Sequence, residues 1–529
     1  MLATCLMPAQ PPRPTVVVIS IDGFPAFDLD NERLPIPTLR RLIKEGSWAK
    51  RMTTINPTVT WPNHTTLVTG VDARKHGVLF NGMLNRDVNP PKVEPWVDKD
   101  KMVHAPTVYD AAYEAGLTTA QVDWVAIYGA KTITWQFPEK PDPDGPIERE
   151  MESEGLVTRE DVADFLTKSN AAWRDQIWTA AAAHILRQHQ PNLLLFHLLN
   201  LDGIQHTYGP NTPAAYSAIA LADSRVHDIL GTIEAAGLKD RTTVLIVSDH
   251  GFRAVKRNIR PNAIAKDAGV ITQGGMAMIY SKTPNLRERF LGIEGIAQAL
   301  TPQDYDRIGL PTPAQSSQSP DLLLIAKPGY ALTRGSDLPA VVDAGPGEGQ
   351  HGYLNSDPDM DAIFIAWGRG IRAGARADRI SNLDVAPTIA ALLGVKLPSA
   401  DGRALADFLA PQSHNIASRM YYNRPECSEA ATIPVRQTPW SAAGSARYLA
   451  CPNSPTRGSG ADEGVCPTNL RPFLGCGYAA LWGRSPGLQT PAWSALAPIS
   501  RPGTAGPGGP AQTRGSAPLP ANPLSTLAP

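Results

Sequence analysis

The sequence predicts an α/β fold, a central and largely parallel sheet with helices on both faces. Three observations carry that expectation. Between residues 15 and about 410, short runs of β-branched and aliphatic residues alternate with helix-like segments. Several of those runs are apolar at every position, as interior strands must be when helices cover both sides. A set of aspartates and histidines follows the runs closely, at the sheet edge where open α/β folds bind ligands.

The strands are read as TVVVISID, NLLLFHLLNLD, TTVLIVSDH, AMIY, DLLLIAK and DAIFIAWG. Between them lie helix-like segments with an apolar face: IPTLRRLIKEG, TVYDAAYEAG, AAWRDQIWTAAAAHILRQ, AAYSAIALADSRVHDILGTIEAAG and LDVAPTIAALLG. Three of these end in or just before glycine, the usual C-terminal stop. No internal repeat is found.

The chain has 529 residues, of which 42% are hydrophobic and 19% charged, so a large buried core is available. A net charge of −1 gives no reason to expect a nucleic-acid-binding surface, and any phosphate chemistry must be local. The longest apolar run, LLLFHLLNL, is too short to span a bilayer, so the chain reads as soluble with no transmembrane segment. All five cysteines, Cys5, Cys427, Cys451, Cys466 and Cys476, lie outside residues 6–426, which excludes disulfides there.

Three regions follow. Residues 1–14 form an N-terminal stub, at best the remnant of a signal segment, since it has neither a basic start nor a sustained apolar stretch. Residues 15–411 form the catalytic domain. Residues 412–529 turn to Pro, Gly, Ala and Ser, with nine arginines and no lysine, and are expected to be mostly disordered. Translation of GC-rich DNA in a shifted frame is a second reading of that tail.

The chemistry-bearing residues sit at the ends of the predicted strands. Asp22 follows VVVISI, Asp202 follows LLLFHLLNL with His206 four residues on, and Asp249 and His250 follow VLIVS. His351 lies in GEGQHGYLN, ahead of the last strand. Aspartate and histidine are the oxygen and nitrogen ligands that zinc accepts, and two such clusters suit a two-metal phosphoryl displacement. Each residue alone has a blander reading. Asp22 reads as a helix cap, Asp202 with His206 as an i,i+4 surface pair, and His351 as a structural histidine.

The segment INPTVTWPNHTTLVTG, residues 55–70, supplies a nucleophile candidate in Thr60, whose hydroxyl a metal would activate in place of a general base. It also reads as a helix start whose N-terminus faces a phosphate, in which case Thr60 is simply a capping residue. Asn81, in HGVLFN, is placed to donate its amide to a phosphate oxygen, or else is a turn residue.

In order, SIDGF, PTVTWPNHTTLVTG with HGVLFN, LDGIQHTYGP, SDHGF and GQHGY resemble the type I phosphodiesterase/nucleotide pyrophosphatase family of the alkaline phosphatase superfamily. The resemblance runs from about residue 15 to 406 and implies an alkaline-phosphatase-like fold. It implies two zinc ions, one held by Asp202, His206 and His351, the other by Asp22, Asp249 and His250 with Thr60 bridging to it. Thr60 then attacks phosphorus and forms a covalent phosphothreonine, Asn81 contacts a phosphate oxygen, and Trp61 stacks on a nucleobase or closes the core. The substrate implied is a small phosphodiester or nucleotide. Kinship with shorter bacterial forms implies an exported enzyme, periplasmic or secreted, while the incomplete signal segment leaves the cytoplasm open.

The nearest alternative is a phosphonoacetate-hydrolase-like C–P hydrolase with the same metal chemistry, and the next is an idle phosphate-binding protein. A sulfatase is disfavoured because no Cys-x-Pro-x-Arg occurs, and a phosphate mutase because residue 60 is not serine. Nothing in the sequence sets the oligomeric state.

Overall fold

The structure, a computed structural model, describes residues 13–411. The expectations for the extreme N-terminus and for the 412–529 tail, its cysteines included, lie outside the described residues.

Eight strands form the main sheet, in the order Arg376–Ser381, Ser47–Thr53, Ala362–Gly368, Thr242–Val247, Thr15–Ile21, Leu193–Leu198, Thr119–Val122 and Trp135–Phe137. The strand Thr15–Ile21 is central and pairs in parallel with both Leu193–Leu198 and Thr242–Val247. Ala362–Gly368 runs against its two neighbours, and the remaining pairings are parallel.

Side-chain alternation explains why the central strands are apolar throughout. Val17, Ile19 and Ile21 point into one layer, where helices Pro37–Glu45, Ala171–Gln188 and Pro213–Ala235 cover them. Val16 and Val18 point into the other, under helices Thr60–Thr69, Val108–Glu114 and Val385–Leu393. Each such strand residue is fully buried, a state that stabilises by about 1.5–3 kcal/mol for a side chain of this size.

Two expected strands belong elsewhere. AMIY (within Met276–Tyr280) and DLLLIAK (Leu322–Ala326) are paired antiparallel in a separate four-stranded sheet with Gly269–Gln273 and Ile296–Leu300. They too are buried on both faces, Ile279 and Leu324 in one cluster and Met278 and Leu323 in another, so their composition matches that of parallel interior strands. No helix among the described residues is long and apolar enough to cross a membrane.

Candidate active site

Three parallel strands end side by side, and their next residues build the site. Asp22 follows Ile21 directly, with its N–H bonded to the carbonyl of Leu198 on the neighbouring strand (2.9 Å). Gly23 then turns the chain at φ +66°, where a side chain would press on Phe252 at 3.1 Å and on Oδ1 of Asp202 at 3.4 Å. Asp249 and His250 follow Val247 on the other neighbour. Asp202 and His206 stand one turn apart on the helix Asn200–Tyr208, so the plain i,i+4 geometry is present and both side chains turn towards the same centre.

His351 arrives by a different route. Gly349–Gln350 pairs antiparallel with Arg253–Ala254, just beyond His250. This ribbon stacks the His351 ring on that of His250, with centroids 3.8 Å apart and planes within 17°. Gly352 is required at φ +79°, since a Cβ there would lie 1.7 Å from the carbonyl oxygen of Gln273.

The structure thus brings together all six predicted aspartates and histidines. Asp22, Asp249 and His250 form one triplet of donor atoms, and Asp202, His250 and His351 form a second. His250 Nε2 stands 3.4 Å from Asp22 Oδ1 and 3.2 Å from Asp249 Oδ2. His351 Nε2 is 3.8 Å from Asp202 Oδ1, and His206 Nε2 is 3.4 Å from Asp202 Oδ2. The grouping differs from the expected division in one respect: His250 faces both clusters, and His206 adjoins the second through Asp202.

The donor set fits metal ions. Asp22 Oδ1, Asp202 Oδ1 and Asp249 Oδ2 are buried and accept no hydrogen bond, a costly state for carboxylates unless a cation meets them. The histidines are oriented for the same purpose. Nδ1 of His206, His250 and His351 faces the backbone carbonyls of Gly349 (3.2 Å), Gly251 (3.1 Å) and Thr58 (3.0 Å), which fixes the proton there and turns the Nε2 lone pair inward. Burial pushes His250 down to about 4, and burial together with the neighbouring His250 pushes His351 down to about 3, so both rings are neutral. Burial, then Asp249 and Asp202, push Asp22 well above the usual carboxylate range, the repulsion that a divalent cation would relieve.

Thr60 is the first residue of the helix Thr60–Thr69, and its Oγ1 lies 3.5 Å from His250 Nε2. The helix is buried on every side because its threonines bond back to carbonyls one turn earlier, as Thr65 does to Trp61 (2.7 Å) and Thr69 to Thr65 (2.8 Å). Asn81 accepts from the N–H of Trp61, the residue next to Thr60, through Oδ1 (3.0 Å). With that N–H taken and Pro62 lacking one, the first turn offers a phosphate at most the N–H of Thr60, fewer donors than the sequence suggests. Trp61 is buried, 1% exposed, with Tyr128 tilted against it at 5.5 Å.

Sequence reasoning passed over a second layer behind these residues. His197, inside the strand LLLFHL, reaches Asp22 Oδ2 with Nε2 (3.2 Å) and Asp123 Oδ2 with Nδ1 (3.0 Å). His64 bonds the carbonyl of Thr60 through Nδ1 (2.9 Å) and packs edge-on to His197. Asn63 ties down the approach to Thr60, accepting from Ile55 N–H (2.9 Å) and donating to the carbonyls of Pro57 (2.9 Å) and Val59 (3.0 Å). A histidine in an otherwise wholly apolar strand was the one sequence signal for this layer.

The fold and this donor set define a metal-dependent hydrolase with the alkaline-phosphatase-like architecture. Residues 16–354 match the type I phosphodiesterase / nucleotide pyrophosphatase family, and the chain belongs to it. Members of this family hydrolyse phosphodiester or pyrophosphate bonds, and this chain is such a hydrolase. The chain is 25% identical over 451 residues to human ectonucleotide pyrophosphatase/phosphodiesterase family member 7, covering 80% of this chain and 90% of that protein. A bis(5'-adenosyl)-triphosphatase of Xenopus laevis is 23% identical over 401 residues, 73% of this chain and 79% of that one.

The solved structure of human ectonucleotide pyrophosphatase/phosphodiesterase 5 superposes with a TM-score of 0.61 at 21% identity, covering 75% of this chain and all of that one. An inactive form of the murine protein, in complex with AMP, gives 0.60 at 19% identity over the same share of each chain.

Proposed function

We propose that residues 15–411 are a two-zinc phosphodiesterase/nucleotide pyrophosphatase that works through a covalent phosphothreonine on Thr60. The observation that carries this is the set of three buried, partnerless carboxylate oxygens facing inward-turned histidine nitrogens beside the Thr60 hydroxyl. Asp22, Asp249, His250 and Thr60 hold one ion, and Asp202, His206 and His351 hold the other. Zinc, when bound, supplies the positive charge that acidifies a coordinated hydroxyl and offsets charge on the transferring phosphoryl group.

The chain's own residues do the rest. The helix start and His64 fix Thr60 so that its oxygen meets phosphorus in line. The bond from phosphorus to the leaving alkoxide or nucleotide breaks as the Thr60 ester forms, and water then releases the product by cleaving that ester. The Asn81 NH2 donates to a non-bridging oxygen as charge builds there. Trp61 and Asn81 line the substrate side. That the murine relative was solved in complex with AMP supports a nucleotide as the substrate class.

The test is turnover by zinc-loaded protein of p-nitrophenyl esters (a nucleotide diester, a simple diester and the monoester), with phosphonoacetate alongside. Fast nucleotide-diester cleavage, removed by EDTA and restored by zinc, is the expected result. Preference for phosphonoacetate would overturn the substrate class, and silence on all four would leave a binding protein.

A further inference from the structure

A cluster of two histidines and a glutamate lies at the opposite edge of the sheet. The helix Ala171–Gln188 carries His184 near its C-terminal end, just before the strand Leu193–Leu198 begins, so this is the edge away from Asp22 and Asp249. His189 follows the helix directly. Glu150, on the helix Pro146–Ser153, lies 34 positions before His184 in sequence and 39 before His189.

Both imidazoles aim at one point. Nε2 of His184 and Nε2 of His189 each lie 2.7 Å from the same oxygen, Oε2 of Glu150. The ring orientations are held from behind. His184 Nδ1 faces Glu154 Oε2 at 3.1 Å, and Gln188 steadies that carboxylate by donating to its other oxygen at 3.2 Å. His189 is stacked on Trp135 of the edge strand, with centroids 3.8 Å apart. The donor atoms of Glu150, His184 and His189 all lie within 4.8 Å of one another, as do those of each of the two triplets at the candidate active site.

We infer that Glu150, His184 and His189 form a third divalent-metal site, independent of the catalytic pair, that clips the helix Pro146–Ser153 to the end of Ala171–Gln188. Two imidazole nitrogens and one carboxylate are a borderline-soft donor set suited to zinc, with solvent in the fourth tetrahedral position. The carboxylate of Glu154 behind His184 is the arrangement that fixes a ligating histidine's tautomer and raises its basicity. Zinc bonds of about 2.0–2.1 Å would part the ligand atoms by roughly half an ångström more than hydrogen bonds do. Glu150 can supply that movement, since its side chain is 38% exposed.

The competing account is a hydrogen-bonded Glu–His clamp that never sees metal, and the two accounts predict different zinc counts. Full-length wild type and the Glu150→Gln/His189→Gln double variant are equilibrated with a zinc buffer and analysed for bound metal. Cobalt absorption and the zinc-induced change in Tm are followed alongside. Both changes sit at partly exposed positions and spare the buried His184. The wild type is expected to hold one metal more per chain than the double variant, at equal diester turnover, and Glu154→Gln to weaken that extra ion about tenfold or more. Equal metal content, equal cobalt spectra and equal zinc-induced Tm shifts in wild type and double variant would overturn the proposal. The comparison concerns a difference of one ion, so it holds whatever the catalytic centre binds.

Discussion

His197 donates from Nε2 to Asp22 Oδ2 across 3.2 Å, while the other oxygen of that carboxylate, Oδ1, faces His250 Nε2 at 3.4 Å. Asp22 is therefore held by one oxygen so that the other can serve the centre. Burial works against charge on His197, but Asp123 and Asp22 together raise it well above the usual imidazole value. A ligand steered by such a partner depends on it. His197→Ala is expected to cut kcat/KM by about 10–100-fold and to release the ion nearer Asp22 at lower chelator concentration. His197→Gln, which can still donate to Asp22, should recover part of both. Unchanged metal affinity in His197→Ala would rule the positioning role out.

Thr60 offers a sharper test of mechanism. It lies beside His250 and carries no structural hydrogen bond that its hydroxyl alone supplies to the fold. Thr60→Ala should abolish turnover while leaving metal content and circular dichroism as in the wild type. Acid-quenched wild type should carry a phosphoryl or nucleotidyl adduct on the peptide containing Thr60, seen by mass spectrometry. Wild-type turnover in Thr60→Ala would refute the covalent route.

For Trp61 the question is whether the ring serves substrate or core. The indole is buried among Val78, Met102, Val103 and Val125, with Tyr128 against it. Trp61→Ala is expected to cost about 3–5 kcal/mol of stability, read from urea unfolding. It should also raise KM severalfold for a nucleotide diester and leave KM for a simple diester as it was. Equal KM changes for both substrates would assign Trp61 to packing alone.

These tests concern residues of unequal legibility. Asp22, Asp249 and His250 could be read from sequence because the strands before them are apolar on both faces and end abruptly in polar residues. His351 was readable only through its motif, since the short Arg253–Ala254/Gly349–Gln350 ribbon that delivers it has no sequence periodicity. His197 and Asp123 were not readable as partners, because three adjacent strands must pair before they meet Asp22.

The five helices read from their apolar faces are all present, while Pro146–Ser153, Arg159–Ala163 and Leu286–Leu291 were not read, and the strands were recognised less evenly. Ser47–Thr53 and Arg376–Ser381 escaped notice because they carry charged residues, two in SWAKRMT and three in RADRIS, that reach solvent near the sheet margin. AIFIAWG was seen as a strand, but its direction was not, since a run buried on both faces looks the same in either orientation. Assignment of AMIY and DLLLIAK to the main sheet failed for the same reason.

Asp28 gives the pH dependence its clearest test. Its side chain is buried in the short turn of helix Ala26–Asp30, and neither carboxylate oxygen has a hydrogen-bond partner. Burial pushes it up to about 7 from the ordinary 3.8. The folded protein then binds this proton more tightly than the unfolded chain, so the stability it contributes is fully present below about pH 4 and is lost as pH rises through 7. Three units at about 1.4 kcal/mol each set an upper bound of roughly 4 kcal/mol for the fall. Asp28→Asn keeps the shape and removes the titration. Unfolding free energies from urea should therefore decline more between pH 5 and 8 in the wild type than in Asp28→Asn, with EDTA present throughout so that metal release does not contribute. Parallel pH profiles for the two proteins would mean that Asp28 finds a partner in solution and stays ionised.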